Sequence, residues 1–201
     1  MEKSTQELEE LIVAQQKKIA RLQELVERDE LTGLLNRKGF VRRLGKVLKD
    51  LEGRQLYRQH MQRSFQFHNV ALLFVDVNKF KSINDTYGHE VGDDCLKGVA
   101  SILSDSVRGM DIVGRWSGDE FVVALLGSGL EGGMIKADRI NDAFLLRKKT
   151  GKDAYPFPSV SIGVCAAKED GRDPECIFDI EQLLSCADER MYSQKKLKKN
   201  D

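Results

Sequence analysis

The feature that most constrains the fold is the stretch 111–126, which predicts a β-hairpin that ends in acids. Two runs rich in β-forming residues lie on either side of Ser117-Gly118, a pair that is typical of a tight turn. Asp119 and Glu120 follow directly. Because adjacent strand residues point to opposite faces, solvent exposure explains only part of this pair. The hairpin therefore predicts a sheet with functional carboxylates at one end.

A second acid lies in a similar setting. Residues 70–75 form an apolar run that predicts a buried strand, and Asp76 ends this run. A carboxylate at the end of a buried strand is costly unless something pairs with it. If the two strands are neighbours, Asp76, Asp119 and Glu120 meet at one point, which would suit a hard divalent cation such as Mg²⁺.

Composition narrows the classes of function. The 201 residues predict one globular domain plus an extension. Lys+Arg and Asp+Glu both number 32, so no overall charge favours nucleic acid or an anionic membrane as a partner. No apolar run approaches the roughly 20 residues that span a bilayer, and no signal-peptide region is visible, which predicts a cytoplasmic protein. The four cysteines lack zinc-like spacing, and we expect reduced, buried thiols.

Residues 5–28 predict a helix that leads into the domain. Its apolar residues recur at alternating spacings of four and three, and a polar residue fills one place. They are Leu8, Ile12, Gln15, Ile19, Leu22 and Val26. This heptad pattern favours a short parallel coiled coil in which Gln15 could set the register; a single amphipathic helix packed on its own domain is the alternative. We therefore divide the chain into a coiled-coil segment, 1–28, and a folded domain, 29–201.

The rest of the chain predicts alternating helices and strands. A polar loop of the kind that often holds ligands is predicted over 78–93. The helix after it has an apolar face formed by Leu96, Val99, Ile102, Leu103 and Val107. The other predicted segments are a helix over 37–51, a helix end and loop over 52–69, a helix over 132–148, a strand over 159–166 in which Gly163 could allow close backbone approach, and a helix over 180–198.

Three long motifs occur in a fixed order. They are Asp29-Glu-Leu-Thr-Gly-Leu-Leu-Asn-Arg37, Phe74-Val-Asp-Val-Asn-Lys-Phe-Lys-Ser-Ile-Asn-Asp-Thr-Tyr-Gly-His-Glu-Val-Gly-Asp93 and Arg115-Trp-Ser-Gly-Asp-Glu-Phe121. Together they resemble the GGDEF domain, the catalytic domain of diguanylate cyclases, over residues 29–200. The resemblance implies an α/β fold of the α+β kind, similar to the palm of nucleotide cyclases, with a central, mostly antiparallel five-stranded sheet flanked by helices.

The resemblance also implies an activity. Members of this family condense two GTP into cyclic di-GMP and two pyrophosphates, and each half of a head-to-tail dimer presents one GTP. Mg²⁺ (or Mn²⁺) would be held by Asp76, the backbone carbonyl of Val77, Asp119 and Glu120. Asp119 would also be the candidate base for the ribose 3′-hydroxyl. Cations there would neutralise the phosphates and lower the pKa of the hydroxyl.

Substrate contacts are implied residue by residue. Lys79, Phe80 and Lys81 would give the phosphates backbone donors, and the Lys81 ammonium would stabilise the transition state. Asn84 and Asp93 would read guanine, because a carboxylate suits guanine's donors and would repel N1 of adenine. The remaining contacts would be His89, Gly118, Lys195 and Lys199. For His89, a structural role in capping the loop is the alternative.

A further motif precedes the hairpin. Arg108-Gly-Met-Asp111 matches the RxxD inhibitory site that binds cyclic di-GMP in other members of the family. Arginine can stack on guanine and donate to it through two nitrogens, and Asp111 can accept from its edge. An ordinary surface ion pair is the alternative.

Three positions depart from the family pattern. Ser117 replaces the first Gly of the signature, and if that position needs a positive φ, serine carries a strain of order 1 kcal/mol. Asn78 stands where a second Asp is common; because Asp76 is the expected metal position, we expect little effect. Lys199 replaces an arginine and keeps its charge but loses the bidentate fork.

The leading hypothesis is an active diguanylate cyclase. Its coiled coil would raise the effective concentration of one GTP-loaded domain for the other, and would relay a signal from a partner or an upstream sensory domain. The alternative is an inactive module that senses cyclic di-GMP through Arg108 and Asp111. A cyclase that makes mixed purine dinucleotides is disfavoured by Asp93.

Overall fold

The chain alternates helices with the four strands of one sheet. The computed structural model describes residues 7–16, 18, 26–56, 67–153, 155–168 and 177–197. The elements, in chain order, are helix α1 (7–16), helix α2 (Arg37–Leu56), strand β1 (Val70–Val77), helices α3 (Phe80–Tyr87) and α4 (His89–Asp105), strands β2 (Ile112–Ser117) and β3 (Glu120–Leu126), helix α5 (Leu130–Thr150), strand β4 (Val160–Ala166) and helix α6 (Ile180–Leu197).

The sheet has the strand order β2-β3-β1-β4, and each neighbouring pair is antiparallel. The predicted hairpin is confirmed as β2 and β3, and the predicted buried strand is confirmed as β1. Within the described residues the sheet has four strands, whereas the resemblance implied five. Leu35 adds a single parallel bridge to Gly114, which fastens the turn before α2 to the edge of the sheet.

Both faces of the sheet are covered by helices. Alternate residues of β1 point to opposite sides, so Leu73 and Val75 pack with α4 and α5, while Leu72 and Phe74 pack with α2 and α6. The apolar face predicted for α4 packs into the first of these cores, and apolar residues of α2 and α6 form the helical side of the second. With both faces buried, β1 is apolar along almost its whole length, and Asp76 near its end is the exception.

The prediction of a polar loop over 78–93 is wrong, because two helices occupy most of this segment. Helix α3 occupies Phe80–Tyr87, and α4 begins at His89 after a single glycine, Gly88, with φ 86°. Helix α3 buries Ile83 and packs Phe80 against the core, so two apolar side chains are enough to hold it. The remaining polar residues lie on its other faces and concealed the helical period.

The N-terminal segment is described in part. In α1 the side chains of Leu8, Leu11, Ile12 and Val13 are exposed. Ile19 and Leu22 of the predicted seam lie outside the described residues, so the coiled coil stays a prediction. Glu27 is buried, pairs with Arg42 of α2 and packs against Gly39. The contacts of the folded domain therefore begin before residue 29.

The expectation of reduced thiols needs correction. Cys165 of β4 and Cys186 of α6 form a disulfide, although they are 21 positions apart in sequence. They meet because α6 lies directly across β4, a proximity that cysteine spacing does not encode. Cys95 is a free, buried thiol. Cys176 lies outside the described residues.

None of the helices in the described part of the chain combines the length and the hydropathy needed to cross a membrane.

Candidate active site

The predicted acids come together where β1 and β3 pair. Asp76 lies opposite Glu120 in the register of the two strands, and the Val77 N–H donates to the carbonyl of Asp119 at 3.1 Å. Asp76 is 7% exposed. The two central strands of the sheet thus place Asp76, Asp119 and Glu120 at the same end, as the sequence predicts.

The electrostatics of this end favour a bound cation. Burial raises the pKa of Asp119, and the nearby Asp76 carboxylate raises it further. Burial likewise raises the pKa of Glu120, followed by repulsion from Asp119, Asp188 and Asp76. Asp188, on α6, was not expected at the site, because its proximity to Glu120 depends on how α6 packs. A cation here would relieve this repulsion between carboxylates.

A lysine already supplies one positive charge. Lys195 Nζ of α6 donates to Asp76 Oδ1 at 2.6 Å, across 119 residues of sequence. Among the described residues, no three His, Cys, Asp or Glu side chains lie close enough together to hold a metal ion as they stand. The oxygen donors nevertheless fit Mg²⁺ in kind, and the Lys195 ammonium occupies the place of a cation on Asp76.

The turn between β1 and α3 has the features of a phosphate-binding turn. Lys79 adopts a left-handed conformation with φ 60°, and in the described part of the chain it is the only residue other than glycine with positive φ. It is the N-cap of α3, and no side chain caps this helix end. The first N–H groups of a helix lack intrahelical acceptors. Those of Lys79, Phe80 and Lys81 are the predicted phosphate donors.

The predicted guanine-reading residues lie on neighbouring helices. The Asn84 Oδ1 atom of α3 is buried, and among the described residues it has no hydrogen-bond partner. A Cβ atom at Gly92 of α4 would clash with this oxygen. An unpartnered buried acceptor next to a glycine that leaves room for it suits a ligand with N–H donors. Asp93, the next residue of α4, is exposed.

The other predicted contacts are placed as follows. Phe80 is partly buried against the core, so its contribution to a ligand would come from its backbone. Lys81 is exposed on α3, and His89 is exposed at the first position of α4. Lys199 lies outside the described residues, so its role stays a prediction.

The structure bears on two of the positions that depart from the family pattern, Ser117 and Asn78. Ser117 is the last residue of β2 and does not have positive φ, whereas Gly118 has φ 38°. Ser117 therefore causes no backbone strain. The positive φ that favours glycine occurs at Gly118, the second glycine of the signature, which this chain retains. Asn78 donates to Ser159 Oγ at 3.0 Å and accepts from Ser161 Oγ at 2.9 Å, so its side chain joins β1 to the start of β4.

Arg115 holds the turn of the hairpin, a role that sequence reasoning missed. Its Nε and Nη2 atoms donate to the carbonyl of Gly118 at 2.9 and 2.8 Å. Its Nη1 lies 3.2 Å from both carboxylate oxygens of Asp29. Although burial opposes ionisation, hydrogen bonds from Thr32 and Arg115 hold the pKa of Asp29 below its usual value. One guanidinium thus links the first of the three motifs to the turn that carries Asp119.

We expect Arg115→Ala to destabilise the domain by about 1–3 kcal/mol, because it removes the side-chain donor of the Gly118 carbonyl and the only cation on the partly buried Asp29 carboxylate that the described residues supply, leaving that carboxylate with its Thr32 donors. The melting temperature should fall by several degrees. Lys97→Ala, which breaks the exposed pair with Asp94, should change it very little. A double-mutant cycle with Asp29→Asn measures the coupling. Equal melting temperatures for Arg115→Ala and Lys97→Ala would contradict this assignment.

The predicted inhibitory residues border a separate cavity of about 170 Å³. Asp111 is held by backbone groups: its carboxylate accepts from the Arg108 N–H at 2.9 Å and the Leu126 N–H at 3.0 Å. Its partners here are amides, which does not match the surface ion pair considered as the alternative. Lys136 and Arg139 of α5 add two cations to this cavity, and no sequence pattern marks them, because α5 meets Arg108 and Asp111 only in the folded chain.

Comparisons with known proteins bear on the family and the fold of the chain. The model of the family described as diguanylate cyclase, GGDEF domain, matches residues 26–201. The chain is 34% identical to the diguanylate cyclase DosC of Escherichia coli (strain K12) over 134 residues, which cover 65% of this chain and 27% of DosC. It is 32% identical to the response regulator PleD of Caulobacter vibrioides (strain NA1000 / CB15N) over 175 residues, which cover 86% of this chain and 34% of PleD.

The fold has solved counterparts. The structure of the coiled coil and GGDEF domain of DgcB from Caulobacter crescentus, in complex with c-di-GMP, matches with a TM-score of 0.71 at 23% identity, and covers 96% of this chain and 91% of that one. At this identity the match shows the fold alone. The matches cover only 27% and 34% of the length of the two curated relatives. The extent of the family match, with the motifs at the paired ends of β1 and β3, shows that the chain belongs to the GGDEF domain family.

Proposed function

We propose that this chain is an active diguanylate cyclase that condenses two GTP into cyclic di-GMP and two pyrophosphates. The observation that carries the proposal is the meeting of Asp76, Asp119 and Glu120 at one end of the central strands, beside Lys195 and the uncapped start of α3. Carboxylates next to phosphate-binding groups are what a nucleotidyl transfer requires. A protein that only binds cyclic di-GMP would have no use for this combination.

Each group has a chemical task. The first amides of α3 and Lys81 would bind the triphosphate, and Asn84 with Asp93 would select guanine. Mg²⁺ or Mn²⁺, held by Asp76, the Val77 carbonyl, Asp119 and Glu120, would neutralise phosphate charge when bound. The raised pKa of Asp119 brings this carboxyl closer to the range in which a general base works at neutral pH.

The reaction conserves atoms and charge as follows. The 3′-oxygen of one GTP attacks the α-phosphorus of the other, and its proton passes to Asp119. A bond forms between this oxygen and phosphorus, while the bond from the α-phosphorus to the bridging oxygen breaks. The electron pair of that bond leaves with pyrophosphate. In a second step of the same kind, the 3′-oxygen of the other nucleotide attacks the α-phosphorus of the first, and the ring closes. Two GTP-bearing domains must therefore face each other.

One experiment tests the proposal directly. The purified protein is incubated with GTP and Mg²⁺, with and without ATP, and the products are identified by liquid chromatography and mass spectrometry. We expect cyclic di-GMP alone, even with ATP present. Mixed dinucleotides would contradict the selection of guanine by Asp93.

The second candidate function, an inactive receptor, rests on the intact cavity beside Arg108 and Asp111. In the same experiment it predicts no cyclic dinucleotide in a sample that still binds cyclic di-GMP. Ser117→Gly would then test whether Ser117 is the reason that no cyclic dinucleotide is formed. The extended conformation of Ser117 favours the enzyme over this reading.

We expect Arg108→Ala to relieve product inhibition. Removing the guanidinium takes away a charged donor from the cavity, so half-inhibition should require about tenfold more cyclic di-GMP. Initial rates measured at increasing product concentration report this value. Lys97→Ala, at an exposed site on α4, is the control and should leave the curve unchanged. An unchanged curve for Arg108→Ala would mean that the likeness to the inhibitory motif is accidental.

We expect removal of residues 1–25 to make the specific activity depend steeply on protein concentration, since the predicted coiled coil would no longer hold two domains together. The cut leaves Glu27 in place because it is buried against α2. Sedimentation velocity should change from dimer to monomer. Ile12→Lys in the full chain should act in the same direction, because Ile12 is exposed in α1 and lies in the predicted seam. Unchanged sedimentation in both proteins would favour the packed single helix.

A further inference from the structure

The disulfide between Cys165 and Cys186 joins the sheet to a helix that contributes to the candidate site. Cys165 lies on β4 and Cys186 on α6, and their Cα atoms are 6.0 Å apart, a usual separation for a disulfide. Strand β4 pairs with β1, which carries Asp76. About two and a half helical turns beyond Cys186, Lys195 of the same helix bonds to Asp76. The cross-link and this ion pair therefore hold α6 against two neighbouring strands.

Without the cross-link, α6 would be held on the sheet by non-covalent contacts alone. Leu183, Leu184 and Met191 are buried between the helix and the sheet. At Gly163 the backbone of α6 approaches so closely that a Cβ atom there would clash with the carbonyl oxygen of Ala187. These contacts are extensive enough to keep the helix in place. Reduction of the disulfide should therefore leave the fold intact and remove the covalent limit on how far α6 can shift.

The two sulfur atoms differ in their access to solvent. Cys165 is fully buried in β4, whereas Cys186 is partly exposed on α6. Thiol–disulfide exchange depends on which sulfur a thiolate can reach. A small thiol can thus reach Cys186 in the folded domain, while Cys165 is shielded. The pair has the arrangement of an exchangeable disulfide, in which Cys186 forms the mixed disulfide and Cys165 resolves it.

We propose that Cys165 and Cys186 are a reversible redox site, which reacts with low-molecular-weight thiols and disulfides and controls how firmly α6 places Lys195 beside Asp76. In reduction, a thiolate attacks Sγ of Cys186, the bond to Cys165 breaks, and the electron pair stays on Cys165, which takes up a proton. A second thiolate then attacks the mixed disulfide and releases Cys186, which is protonated in turn. Two small thiols are oxidised to one disulfide while the protein disulfide is reduced to two thiols.

The regulated activity is the proposed cyclase reaction, so the inference rests on that function. A reaction that consumes GTP takes place where glutathione and thioredoxin keep thiols largely reduced, and disulfides there are usually transient or redox-sensing. In the disulfide form, Lys195, a predicted phosphate contact, is fixed at the acids. This form is therefore the one with the higher affinity for GTP, and reducing conditions weaken substrate binding.

A cross-link that only stabilises the domain is the simpler explanation, and the test must separate it from regulation. A disulfide restricts the unfolded chain and raises the melting temperature whether or not the native state changes. Ile140→Val is the matched control, because it removes a methyl group from the core on the other face of the sheet, away from α6. It should lower the melting temperature by a few degrees and leave α6 unchanged.

Amide hydrogen exchange, followed by mass spectrometry, tests the effect on α6 without any need for turnover. The full chain is equilibrated at defined ratios of reduced to oxidised glutathione, and thiol alkylation reports the state of the pair. We expect the disulfide to open and close reversibly, and the amides of residues 187–195 to exchange about threefold faster or more in the reduced protein. Ile140→Val should show the wild-type exchange rates in each state.

Two cysteine variants assign the response. Cys186→Ser should show the fast exchange of α6 at every glutathione ratio, whereas Cys176→Ser should respond as the wild type does. A pair that glutathione neither reduces nor oxidises would overturn the proposal. Equal exchange rates of α6 in the oxidised and reduced wild type would overturn it as well.

Initial rates with GTP and Mg²⁺ then separate regulation from stabilisation. We expect reduction to raise KM for GTP about three- to tenfold, well below the melting temperature of both forms, because Lys195 is placed less precisely. Lys195→Ala should raise KM in both states and remove the difference between them, since a missing ammonium group cannot be displaced. Ile140→Val should keep the wild-type KM in each state. Equal KM values for the oxidised and reduced wild type would leave the disulfide as a stabilising cross-link and refute the proposal.

Failure of the cyclase function would give a different pattern. A protein that makes no cyclic di-GMP in either state, but whose α6 still responds to glutathione through Cys186, refutes the cyclase and supports the redox site. A protein that makes cyclic di-GMP with the same KM in both states refutes the redox site and not the cyclase.

Discussion

Asp119→Asn should lower the rate of cyclic di-GMP formation by about 10³-fold while the domain stays folded. The substitution keeps the shape of the side chain but removes the charge and the capacity to accept a proton, both of which the transfer would use. Because the acids at this end repel one another and the pKa of Asp119 is raised, neutralising it should not reduce stability in the absence of metal. Product formation by mass spectrometry and the melting temperature are measured together.

Asp142→Asn is the matched control for Asp119→Asn, since Asp142 is an exposed carboxylate on α5 outside the site. It should retain full turnover. Glu120→Gln should resemble Asp119→Asn, as both carboxylates belong to the same cluster. If Asp119→Asn keeps more than a tenth of the wild-type rate, neither the metal role nor the base role of this residue can stand.

Gly163→Ala should destabilise the domain by about 3 kcal/mol or more, and we expect little soluble, folded protein. A Cβ atom at this position of β4 would clash with the carbonyl oxygen of Ala187 and the backbone nitrogen of Met191 in α6. Backbone atoms cannot rotate away as a side chain can, so α6 would have to move off the sheet. Urea denaturation followed by circular dichroism measures the loss.

Gly45→Ala gives the opposite result in the same assay. Gly45 is in the interior of α2, and a Cβ atom there would meet nothing within 4 Å. Alanine is the better helix former, so this variant should gain about 0.5–1 kcal/mol. A Gly163→Ala protein as stable as the wild type would show that α6 can shift without loss of stability. The close approach of α6 to β4 would then not be needed for the stability of the domain.

The elements that sequence reasoning located best are those with a strong local signal. The hairpin, β1 and the apolar faces of α2, α4 and α6 each follow from residues close together in the chain. The strand pattern also predicts close backbone approach at Gly163, and the packing of α6 against this glycine confirms it. Helix α3 was missed because it is only eight residues long and most of them are polar, so a composition typical of a loop outweighed a short helical period.

The residues of the candidate site also fall into two groups, those that the local sequence could predict and those that it could not. The acids could be predicted to meet because they end two strands that pair with each other. The tether from Arg115 to Asp29 joins residues 86 positions apart, and Lys195 reaches Asp76 across 119. The disulfide likewise depends on how α6 packs against β4. Contacts of this kind arise from tertiary structure, and no pattern in a single sequence marks them in advance.

The left-handed conformation of Lys79 bears on the entropy of the nucleotide binding proposed for this site. For a residue other than glycine, this conformation raises the free energy by about 1 kcal/mol. The free energy of folding of the domain already includes this cost. The amides at the start of α3 are then already fixed in direction before any nucleotide arrives. Binding of the triphosphate at this turn should consequently lose little backbone freedom, so more of the interaction free energy remains as affinity.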